Sequence, residues 1–215
     1  MNSDLSNYRK SYEKDTLLEK NLPESPFQLF ERWFKEVDES FKDMEANAMT
    51  LSTIGLDGFP KSRIVLLKEF GTTGFVFYTN YNSEKGKAIA KNPQVCLSFF
   101  WELAQKQVIV KGFAEKTSNE TSDSYFKSRP KGSKLGALAS NQSEIIPDRA
   151  FIDNKLLDLE TRYTSNEVPR PDCWGGYLVI PVEIEFWQGR ANRLHDRIRY
   201  SKVNKDEWVF NRLSP

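Results

Sequence analysis

The sequence is poor in the residues that metal sites and disulfide frameworks require. Its 215 residues include one histidine and two cysteines, Cys96 and Cys173, and no C-x-x-C motif occurs. A zinc ribbon and a thioredoxin-type motif are therefore excluded, and metal sites built on histidine are disfavoured. Two isolated thiols fit a reducing compartment, although a structural disulfide between them stays open. We predict no metal site.

Long apolar runs and common nucleotide-binding motifs are also missing. No run reaches the roughly 18 residues that a membrane span needs. Residues 1–20 are polar, without the apolar segment of a signal peptide. We therefore expect a cytoplasmic protein with no membrane partner. Neither G-x-G-x-x-G nor a P-loop occurs, which argues against the usual dinucleotide and nucleoside-triphosphate sites.

Charge of neither sign dominates the sequence. Lys and Arg total 31, and Asp and Glu total 30. Nucleic-acid-binding proteins usually carry a basic excess, so we expect no nucleic-acid partner. The length suits one domain with or without an arm. We predict a flexible N-terminal arm over residues 1–24 and a single domain over residues 25–215; a frayed tail is the alternative for the first segment.

Many short strand-like segments are present, and turn signals separate them. The Asp57-Gly58 pair favours a hairpin because Asp-Gly tolerates the positive φ that a tight turn needs. This pattern predicts a protein that is mainly β with α, namely an antiparallel β-barrel surrounded by helices. The predicted strands cover residues 48–54, 62–68, 75–79, 95–101, 107–114, 177–187, 197–202 and 207–212. Helices are predicted from Ser25 to about Phe41, from Ser83 to before Asn92, from Thr117 to about Lys127 and from Asp148 to Tyr163, with a basic loop over residues 128–134.

Two clusters suggest phosphate binding near the second and third strands. Arg63 and Lys68 flank an apolar segment at an odd interval, so in one strand they would point to opposite faces and serve different neighbours. Solvated strand ends are the alternative. Ser83, Glu84 and Lys85 begin a predicted helix, where free backbone N–H groups can bind phosphate. An ordinary helix cap is the alternative there.

A third cluster combines hydrogen-bonding side chains at regular spacing. Tyr125, Arg129 and Ser133 follow one another at intervals of four, and Gln142 and Ser143 come shortly after. Each side chain can donate a hydrogen bond, and the planar arginine fork suits phosphate. Chance is the competing explanation, since such residues are common in loops.

The fourth cluster surrounds the single histidine. Arg193 and Arg197 flank His195 and Asp196, and Trp187 lies shortly before them. In an extended segment Arg193, His195 and Arg197 would share one face, and Trp187 could pack against a flat ring. This pattern favours an anionic planar substrate. A surface loop with a satisfied His–Asp pair is the alternative.

The four clusters, in this order, resemble the pyridoxine/pyridoxamine 5′-phosphate oxidase family, and the resemblance covers nearly the whole chain. It implies an FMN-binding split antiparallel β-barrel that works as a homodimer with FMN at the interface. It also implies oxidation of pyridoxine 5′-phosphate or pyridoxamine 5′-phosphate to pyridoxal 5′-phosphate, with O2 as electron acceptor, H2O2 as product and ammonia released from the amine. The most specific segments are Arg63 to Lys68, Phe77 to Asn80, Ser128 to Pro130, Trp174 to Gly176 and Ile184 to Arg197.

The resemblance also implies roles for individual residues. For FMN it implies phosphate contacts from Arg63 and Lys85 with help from Gln142 and Ser143. It also implies a cofactor contact from Lys68, backbone and wall contacts from Ile64, Val65, Leu66, Tyr78 and Thr79, and Gln107, Trp187 and Arg197 near the isoalloxazine ring. For the substrate it implies phosphate contacts from Lys68, Tyr125, Arg129 and Ser133, catalytic Arg193 and His195 beside Leu194 at the pyridine ring, and Arg9 and Tyr12 closing the site. Both ligands carry a phosphate, so two cationic sets are needed.

Three positions depart from the family's pattern. Glu84 stands where an arginine usually contacts the FMN phosphate, and we expect its carboxylate to turn to solvent. Leu138 replaces a common tryptophan, which we expect to alter packing only. The pair Ile198-Arg199 adds a charge of unknown effect near His195.

Two rival functions stay open at this point. The first is a non-catalytic binder of flavin or pyridoxal phosphate on the same barrel, because fold alone does not determine function. Such a binder has no reason to keep Lys68, Tyr125, Arg129, Ser133, Arg193 and His195 together. The second is a single-stranded RNA binder that uses barrel aromatics and basic loops. The balanced charge disfavours it.

Overall fold

A computed structural model of the chain describes residues 3–8, 10–205 and 207–215. Within these residues it contains five α-helices and nine β-strands. The helices are α1 (Pro26–Ser40), α2 (Glu84–Lys91), α3 (Asn119–Ser128), α4 (Lys131–Ala139) and α5 (Arg149–Arg162). The strands are β1 (Ala48–Ile54), β2 (Pro60–Leu66), β3 (Glu69–Gly71), β4 (Gly74–Asn80), β5 (Gln94–Trp101), β6 (Lys106–Lys116), β7 (Trp174–Gln188), β8 (Asp196–Lys202) and β9 (Trp208–Leu213).

The strands form one sheet in which sequence neighbours are often also hydrogen-bonded neighbours. The order is β2-β1-β5-β6-β7-β4-β3, with β8 paired to β7 and β9 paired to β8. Strands β4 and β7 are antiparallel and place Tyr78 opposite Gly176. Strands β7 and β8 are also antiparallel and place Trp187 opposite Arg197. The predicted class, mainly β with α, is confirmed.

The chain divides into two compact units. The first, called the terminal unit here, contains Met1–Met49, Leu97–Lys111 and Pro181–Pro215. The second, called the central unit, contains Thr50–Cys96 and Gly112–Ile180. Each unit buries its own aromatic side chains, and each carries part of the predicted site.

The core of the terminal unit forms around α1. Helix α1 begins at Pro26, which suits the first helical position because it needs no hydrogen-bonded N–H there. Ser25 precedes it without a side-chain hydrogen bond to the first turn. Phe30 packs edge-on against Phe99, and Trp33 packs edge-on against Phe186. Aromatic burial therefore fastens the helix to the strands.

A buried lysine completes this core. Lys106 is fully buried, and its Nζ lies 2.6 Å from Glu36 Oε2 on α1 and 3.1 Å from Asp15 Oδ2 in the N-terminal segment. Its ammonium also lies 5.0 Å from the centre of the Trp33 ring. A buried charge is tolerated when it is paired, so these contacts tie α1 and the N-terminal segment to β6.

The core of the central unit forms between α3, α4 and the start of β7. Phe126, Leu135, Val168 and Trp174 are buried together there. Leu138, at the position where a tryptophan was expected, packs against this cluster and has a packing role. Side chains of α5 cover it from outside, although no residue of α5 is itself buried.

Two predicted elements were wrong. Residues 62–68 do not form one strand, because β2 ends at Leu66 and a short strand β3 begins at Glu69. Residues 131–134 are helical rather than part of a loop, since α4 begins at Lys131. Burial of Leu135 and Ala139 on one face of α4 outweighs the low helix propensity of its two glycines.

The helices are short relative to a lipid bilayer. Among the residues that the structure describes, no helix combines the length and the apolarity that crossing a membrane requires.

Candidate active site

A cavity of about 500 Å³ opens in the central unit, and most of the predicted phosphate-binding residues line it. Its walls come from the end of β2, from β4, from the first turn of α2, and from α3, α4 and the start of β7. The lining residues are Ile64, Val65, Leu66, Lys68, Tyr78, Thr79, Asn80, Lys85, Tyr125, Arg129, Ser133, Gly136, Ala137, Ser140, Gln142 and Trp174.

Lys85 is the buried cation at one end of this set. Ser83 caps α2 by accepting a bond from the Gly86 amide, and this places Lys85 in the first turn with 8% of its surface exposed. Its Nζ lies 3.3 Å from Thr79 Oγ1, 3.4 Å from Ser83 Oγ and 3.2 Å from Gln142 Oε1. Burial first, and then the charge of Arg63, lower its pKa to about 8. No ion pair joins Lys85 to a carboxylate anywhere in the described chain.

Arg63 lies beside Lys85 and is held by the sheet. Its Nη1 donates to Leu51 O at 3.2 Å, to Thr53 Oγ1 at 2.8 Å and to Lys61 O at 2.9 Å. Burial lowers its pKa, and it also has no carboxylate partner among the described residues. Two neighbouring cations that form no ion pair of their own favour an anion.

Glu84 points its charge at a lysine. Lys61 Nζ lies 2.7 Å from Glu84 Oε1 and 2.6 Å from Oε2. The Glu84 side chain is 44% exposed, so it reaches solvent as expected, but it is also paired. Sequence reasoning missed this partner, because Lys61 lies 23 residues away and belongs to no motif.

A second cation set lines the same cavity. Arg129 stacks its guanidinium 4.6 Å from the centre of the Trp174 ring. Its Nη1 is buried and has no hydrogen-bond partner within the described residues, and burial lowers its pKa. Lys68, Tyr125 and Ser133 line the cavity with it. A buried donor without a partner costs free energy, which a bound anion would recover.

Three stacked rings form one wall of the cavity. Tyr78 and Tyr125 stack with centroids 3.9 Å apart, and Tyr78 and Trp174 stack at 5.5 Å. The stack needs a glycine opposite Tyr78, because a Cβ on Gly176 would lie 2.9 Å from Tyr78 Cε1. Trp174 belongs to a segment typical of the family, but no role was predicted for it from the sequence. Its position two residues before Gly176 in a strand was the available signal.

Arg63 and Lys68 do have different surroundings, as predicted, although the reason given was wrong. Lys68 lines the cavity, whereas Arg63 does not. They differ because the chain leaves β2 between them, and not because of alternation along one strand. Ser143, next to Gln142, is absent from the lining and has a φ of 77°.

The His195 cluster lies in the terminal unit. The rings of His195 and Trp187 are 4.6 Å apart between centroids, and Tyr12 lies 5.8 Å from Trp187 and 6.0 Å from His195. Gly189 makes room for Tyr12, because a Cβ there would lie 2.7 Å from Tyr12 Cδ2. The N-terminal segment therefore packs against the histidine.

One hydrogen bond indicates the tautomer of His195. The Arg190 amide donates to His195 Nδ1 at 3.0 Å, so Nδ1 is an acceptor and a neutral ring carries its proton on Nε2. Burial, and then the charge of Arg193, lower its pKa. Asp196 does not pair with it. The alternative of a His–Asp pair is therefore wrong.

Asp196 instead ties three segments together. It accepts bonds from the Leu17 amide at 3.1 Å, from Arg190 Nη1 at 2.9 Å and from Arg212 Nη1 at 2.7 Å. Burial raises the pKa of Asp196, but these bonds outweigh it and the net pKa is lowered. The carboxylate stays charged and fixes the segment that carries His195.

Arg193 lies outside the predicted strand face. Residues 191–193 form a 3-10 turn in which Arg193 has a φ of 61°, and β8 begins only at Asp196. The prediction that Arg193 and His195 share an extended face was wrong. Leu194 is 68% exposed beside them.

The remaining predicted residues are placed as follows. Arg197 donates to Glu185 Oε1 at 2.8 Å and to Ser214 O at 3.0 Å, and it lies opposite Trp187. Gln107 donates to Ser98 Oγ at 3.2 Å. Arg9 lies outside the described residues. The structure thus gathers the phosphate-binding set in one unit, and Tyr12, Trp187 and His195 in the other.

Comparisons with known proteins match two parts of the chain. A sequence family described as "Pyridoxamine 5'-phosphate oxidase" matches residues 34–163, and one described as "Pyridoxine 5'-phosphate oxidase C-terminal dimerisation region" matches residues 174–215. Both ranges include residues of the candidate site.

Full-length relatives and solved structures are also similar to the chain. A pyridoxine/pyridoxamine 5′-phosphate oxidase of Flavobacterium johnsoniae is 63% identical and one of Christiangramia forsetii is 52% identical, covering 99% and 100% of both chains respectively. The crystal structure of PhzG from Burkholderia lata in complex with tetrahydrophenazine-1-carboxylic acid superposes with a TM-score of 0.86 at 27% identity, covering 94% of this chain and 98% of its own. An FMN-binding protein of Nostoc punctiforme, related to pyridoxamine 5′-phosphate oxidase, superposes with a TM-score of 0.70 at 14% identity, covering 90% and 100%, and shares the fold. The chain belongs to the pyridoxine/pyridoxamine 5′-phosphate oxidase family.

Proposed function

We propose that the protein is an FMN-dependent oxidase that converts pyridoxine 5′-phosphate or pyridoxamine 5′-phosphate to pyridoxal 5′-phosphate in the cytoplasm. Full-length relatives that are 63% and 52% identical to the chain are named pyridoxine/pyridoxamine 5′-phosphate oxidase. The observation that carries the proposal is the cavity of the central unit, which is lined by Lys68, Lys85 and Arg129, three cations without ion-pair partners in the described chain.

The first group fits the phosphate of FMN. Lys85 and Arg63 are neighbouring cations, and Thr79 and Gln142 surround the lysine ammonium with polar oxygens. A phosphate would supply the missing negative charge, and charge-assisted bonds to phosphate are strong. Ile64, Val65 and Leu66 would offer backbone and wall contacts, and Ser143 would assist the phosphate. Ile64 is 66% exposed, so this wall has apolar surface left to cover.

The second group fits the substrate phosphate. Arg129 Nη1 is a buried donor without a partner in the described chain, and Lys68, Tyr125 and Ser133 lie on the same cavity wall. The guanidinium lies over the Trp174 ring and near the Phe126 ring, and these contacts restrict its fork before the anion arrives. Preorganised donors bind without a further ordering cost.

The His195 cluster would orient the pyridine ring. A neutral imidazole that keeps its Nε2 proton can donate a hydrogen bond to the phenolic oxygen of the substrate, and Arg193 can balance the charge of that oxygen. Arg9, Leu194 and Tyr12 would close the site. Gln107, Trp187 and Arg197 would lie near the isoalloxazine ring. Neither His195 nor Arg193 is required here as an obligatory base.

FMN held by these residues would supply the redox chemistry, namely acceptance of a hydride from the substrate C4′ and transfer of two electrons to O2 to give H2O2. The alcohol substrate yields the aldehyde directly. The amine substrate also consumes water and releases ammonia. The two cation groups would bind the two phosphates, and the His195 cluster would orient the pyridine ring. Such positioning of the reactants increases the reaction rate.

We further propose that the chain works as a homodimer with FMN at the interface. The match of residues 174–215 to a dimerisation region supports this, as does the exposed apolar wall at Ile64. We also propose that residues 1–24 form a flexible N-terminal arm attached to a single domain over residues 25–215. Limited proteolysis with and without substrate tests the arm.

One experiment tests the proposed function. The purified protein is expected to show a flavin spectrum and, with pyridoxine 5′-phosphate in air, to form pyridoxal 5′-phosphate and H2O2 in equal amounts. Unphosphorylated pyridoxine is the matched control and should react far more slowly at the same concentration. Bound flavin without any product would contradict the oxidase and favour the non-catalytic binder.

A further inference from the structure

Glu84 places a carboxylate next to the two cations assigned to the FMN phosphate. It is the first residue of α2 and directly precedes Lys85. Its charge acts on both Lys85 and Arg63, since it raises the pKa of each against the lowering effect of burial. A negative charge this close to the site would repel a phosphate that uses the same two cations.

Lys61 neutralises this carboxylate. Its Nζ contacts both oxygens of Glu84, at 2.7 Å and 2.6 Å, although the side chains are 55% and 44% exposed. An exposed pair of this kind adds little to folding stability. The effect of the ion pair on a nearby phosphate dianion can be larger. The Lys61–Glu84 pair carries no net charge, whereas Glu84 alone carries a negative charge that repels the dianion.

The same lysine also contacts the cation set through its backbone. Lys61 O accepts a bond from Arg63 Nη1 at 2.9 Å. Lys61 and Arg63 are thus two residues apart on strand β2, and the Arg63 guanidinium donates a hydrogen bond to the Lys61 carbonyl. The ammonium that holds Glu84 and the carbonyl that holds Arg63 belong to one residue.

We propose that Lys61 is a positioning residue of the cofactor site, whose ammonium holds and neutralises Glu84 so that this carboxylate does not repel the FMN phosphate. The proposal rests on the proposed function only for the location of the FMN phosphate. It assigns Lys61 no direct contact with the cofactor. Its consequence is that the effect of Lys61 on FMN affinity depends on Glu84.

A double-mutant cycle tests this dependence. The full chain, freed of flavin, is titrated with FMN and separately with riboflavin, and flavin fluorescence reports binding. Lys61→Met should weaken FMN binding about tenfold at low salt, and the loss should fade near about 1 M NaCl. Glu84→Gln should bind FMN at least as tightly as the unchanged protein. The Lys61→Met/Glu84→Gln double variant should recover the lost affinity.

Two controls separate charge masking from a fold defect. Riboflavin lacks the phosphate, so its affinity should be the same in all four proteins. Lys91→Met removes an exposed lysine from the far end of α2 and should leave FMN affinity unchanged. Lys61→Arg should retain the affinity, because an arginine can hold the same carboxylate.

Some outcomes would overturn the proposal. An equal loss from Lys61→Met in the presence and absence of Glu84 would show that Lys61 acts on its own. A parallel loss of riboflavin affinity would show a structural effect. Failure of the unchanged protein to prefer FMN over riboflavin would instead count against the proposed function, so the two failures are distinguishable.

Discussion

The cavity of the central unit and the His195 cluster of the terminal unit use arginine and lysine in opposite ways. Around His195, Arg190 and Arg212 pair with Asp196, and Arg197 pairs with Glu185. In the cavity, Lys85 and Arg129 have no carboxylate partner among the residues described. Paired arginines build a scaffold, whereas unpaired buried cations carry a desolvation cost that only an incoming anion recovers.

The His195 cluster has one exception that supports this contrast. Arg193 is exposed and forms no ion pair within the described chain. It is also the arginine of the cluster assigned to the substrate. In both units, therefore, a cation without an ion-pair partner is assigned to an anionic group of a ligand, whereas Arg197, assigned to the isoalloxazine ring, keeps its ion pair with Glu185.

The largest expected effect comes from removing the buried cation of the cavity. Lys85→Met should weaken FMN binding about 100-fold, because it deletes charge-assisted bonds to the phosphate worth about 3 kcal/mol. Riboflavin affinity should stay unchanged. The apoprotein should be no less stable, since an uncompensated charge has been removed. Fluorescence titration and urea unfolding measure these quantities, and a large loss of stability would argue that Lys85 is structural.

Arg129→Met tests the assignment of the second cation group to the substrate phosphate. It should raise the KM for pyridoxine 5′-phosphate about 30-fold, or about 2 kcal/mol, because the substrate phosphate loses a preorganised fork. FMN affinity should change little. Steady-state kinetics with unphosphorylated pyridoxine provide the control, and equal effects on both substrates would contradict the assignment.

Asp196→Asn tests the paired region. The change leaves Arg190 and Arg212 with a weaker partner, so the unfolding free energy should fall by about 1.5 kcal/mol. FMN affinity should not change, because the phosphate-binding residues belong to the other unit. Chemical denaturation measures the loss. No change in stability would show that the network contributes nothing measurable.

The smallest expected effects concern His195. Its pKa is lowered, so the neutral ring persists below the usual histidine range and turnover should stay constant from neutral pH down to mildly acidic pH. Protonation at lower pH breaks the bond from the Arg190 amide and should reduce turnover severalfold. His195→Ala and Arg193→Ala should each reduce turnover about tenfold while FMN is retained. Loss of flavin as their main effect would contradict the roles assigned.

Local sequence signals predicted much of the fold. Strand β1 has the bounds that its alternating pattern indicated, and Ser83 caps α2 as its position before the helix suggested. The missed helix α4 depends on burial of Leu135 in the cluster that contains Phe126 of α3 and Trp174, which no local pattern reveals. The turn at Arg193 depends on positive φ angles that arginine rarely adopts.

The residue types of the candidate site could be predicted from the sequence. Which of its charged side chains form ion pairs could not. The spacing of Tyr125, Arg129 and Ser133 indicated one set, and all three line the cavity. The partner of Glu84 could not be read from the sequence, since a contact between β2 and α2 depends on tertiary packing. For the same reason the sequence could not show which cations lack a counter-ion.

Lys85 is a buried cation that has no carboxylate partner among the described residues. The pH dependence of the apoprotein's unfolding free energy is a direct test of this assignment. Its pKa is about 8 in the folded chain and 10.5 in an unperturbed lysine, so the unfolded state binds more protons between these values. The unfolding free energy should therefore rise with pH across this window, by about 2 kcal/mol after allowance for solvent screening.

Comparison with Lys85→Met cancels the other groups that titrate at high pH. We expect the unchanged apoprotein to gain stability relative to Lys85→Met as pH rises from about 8 to 10.5, and we expect saturating FMN to remove this difference in pH dependence. Identical pH dependence in the two apoproteins would contradict it.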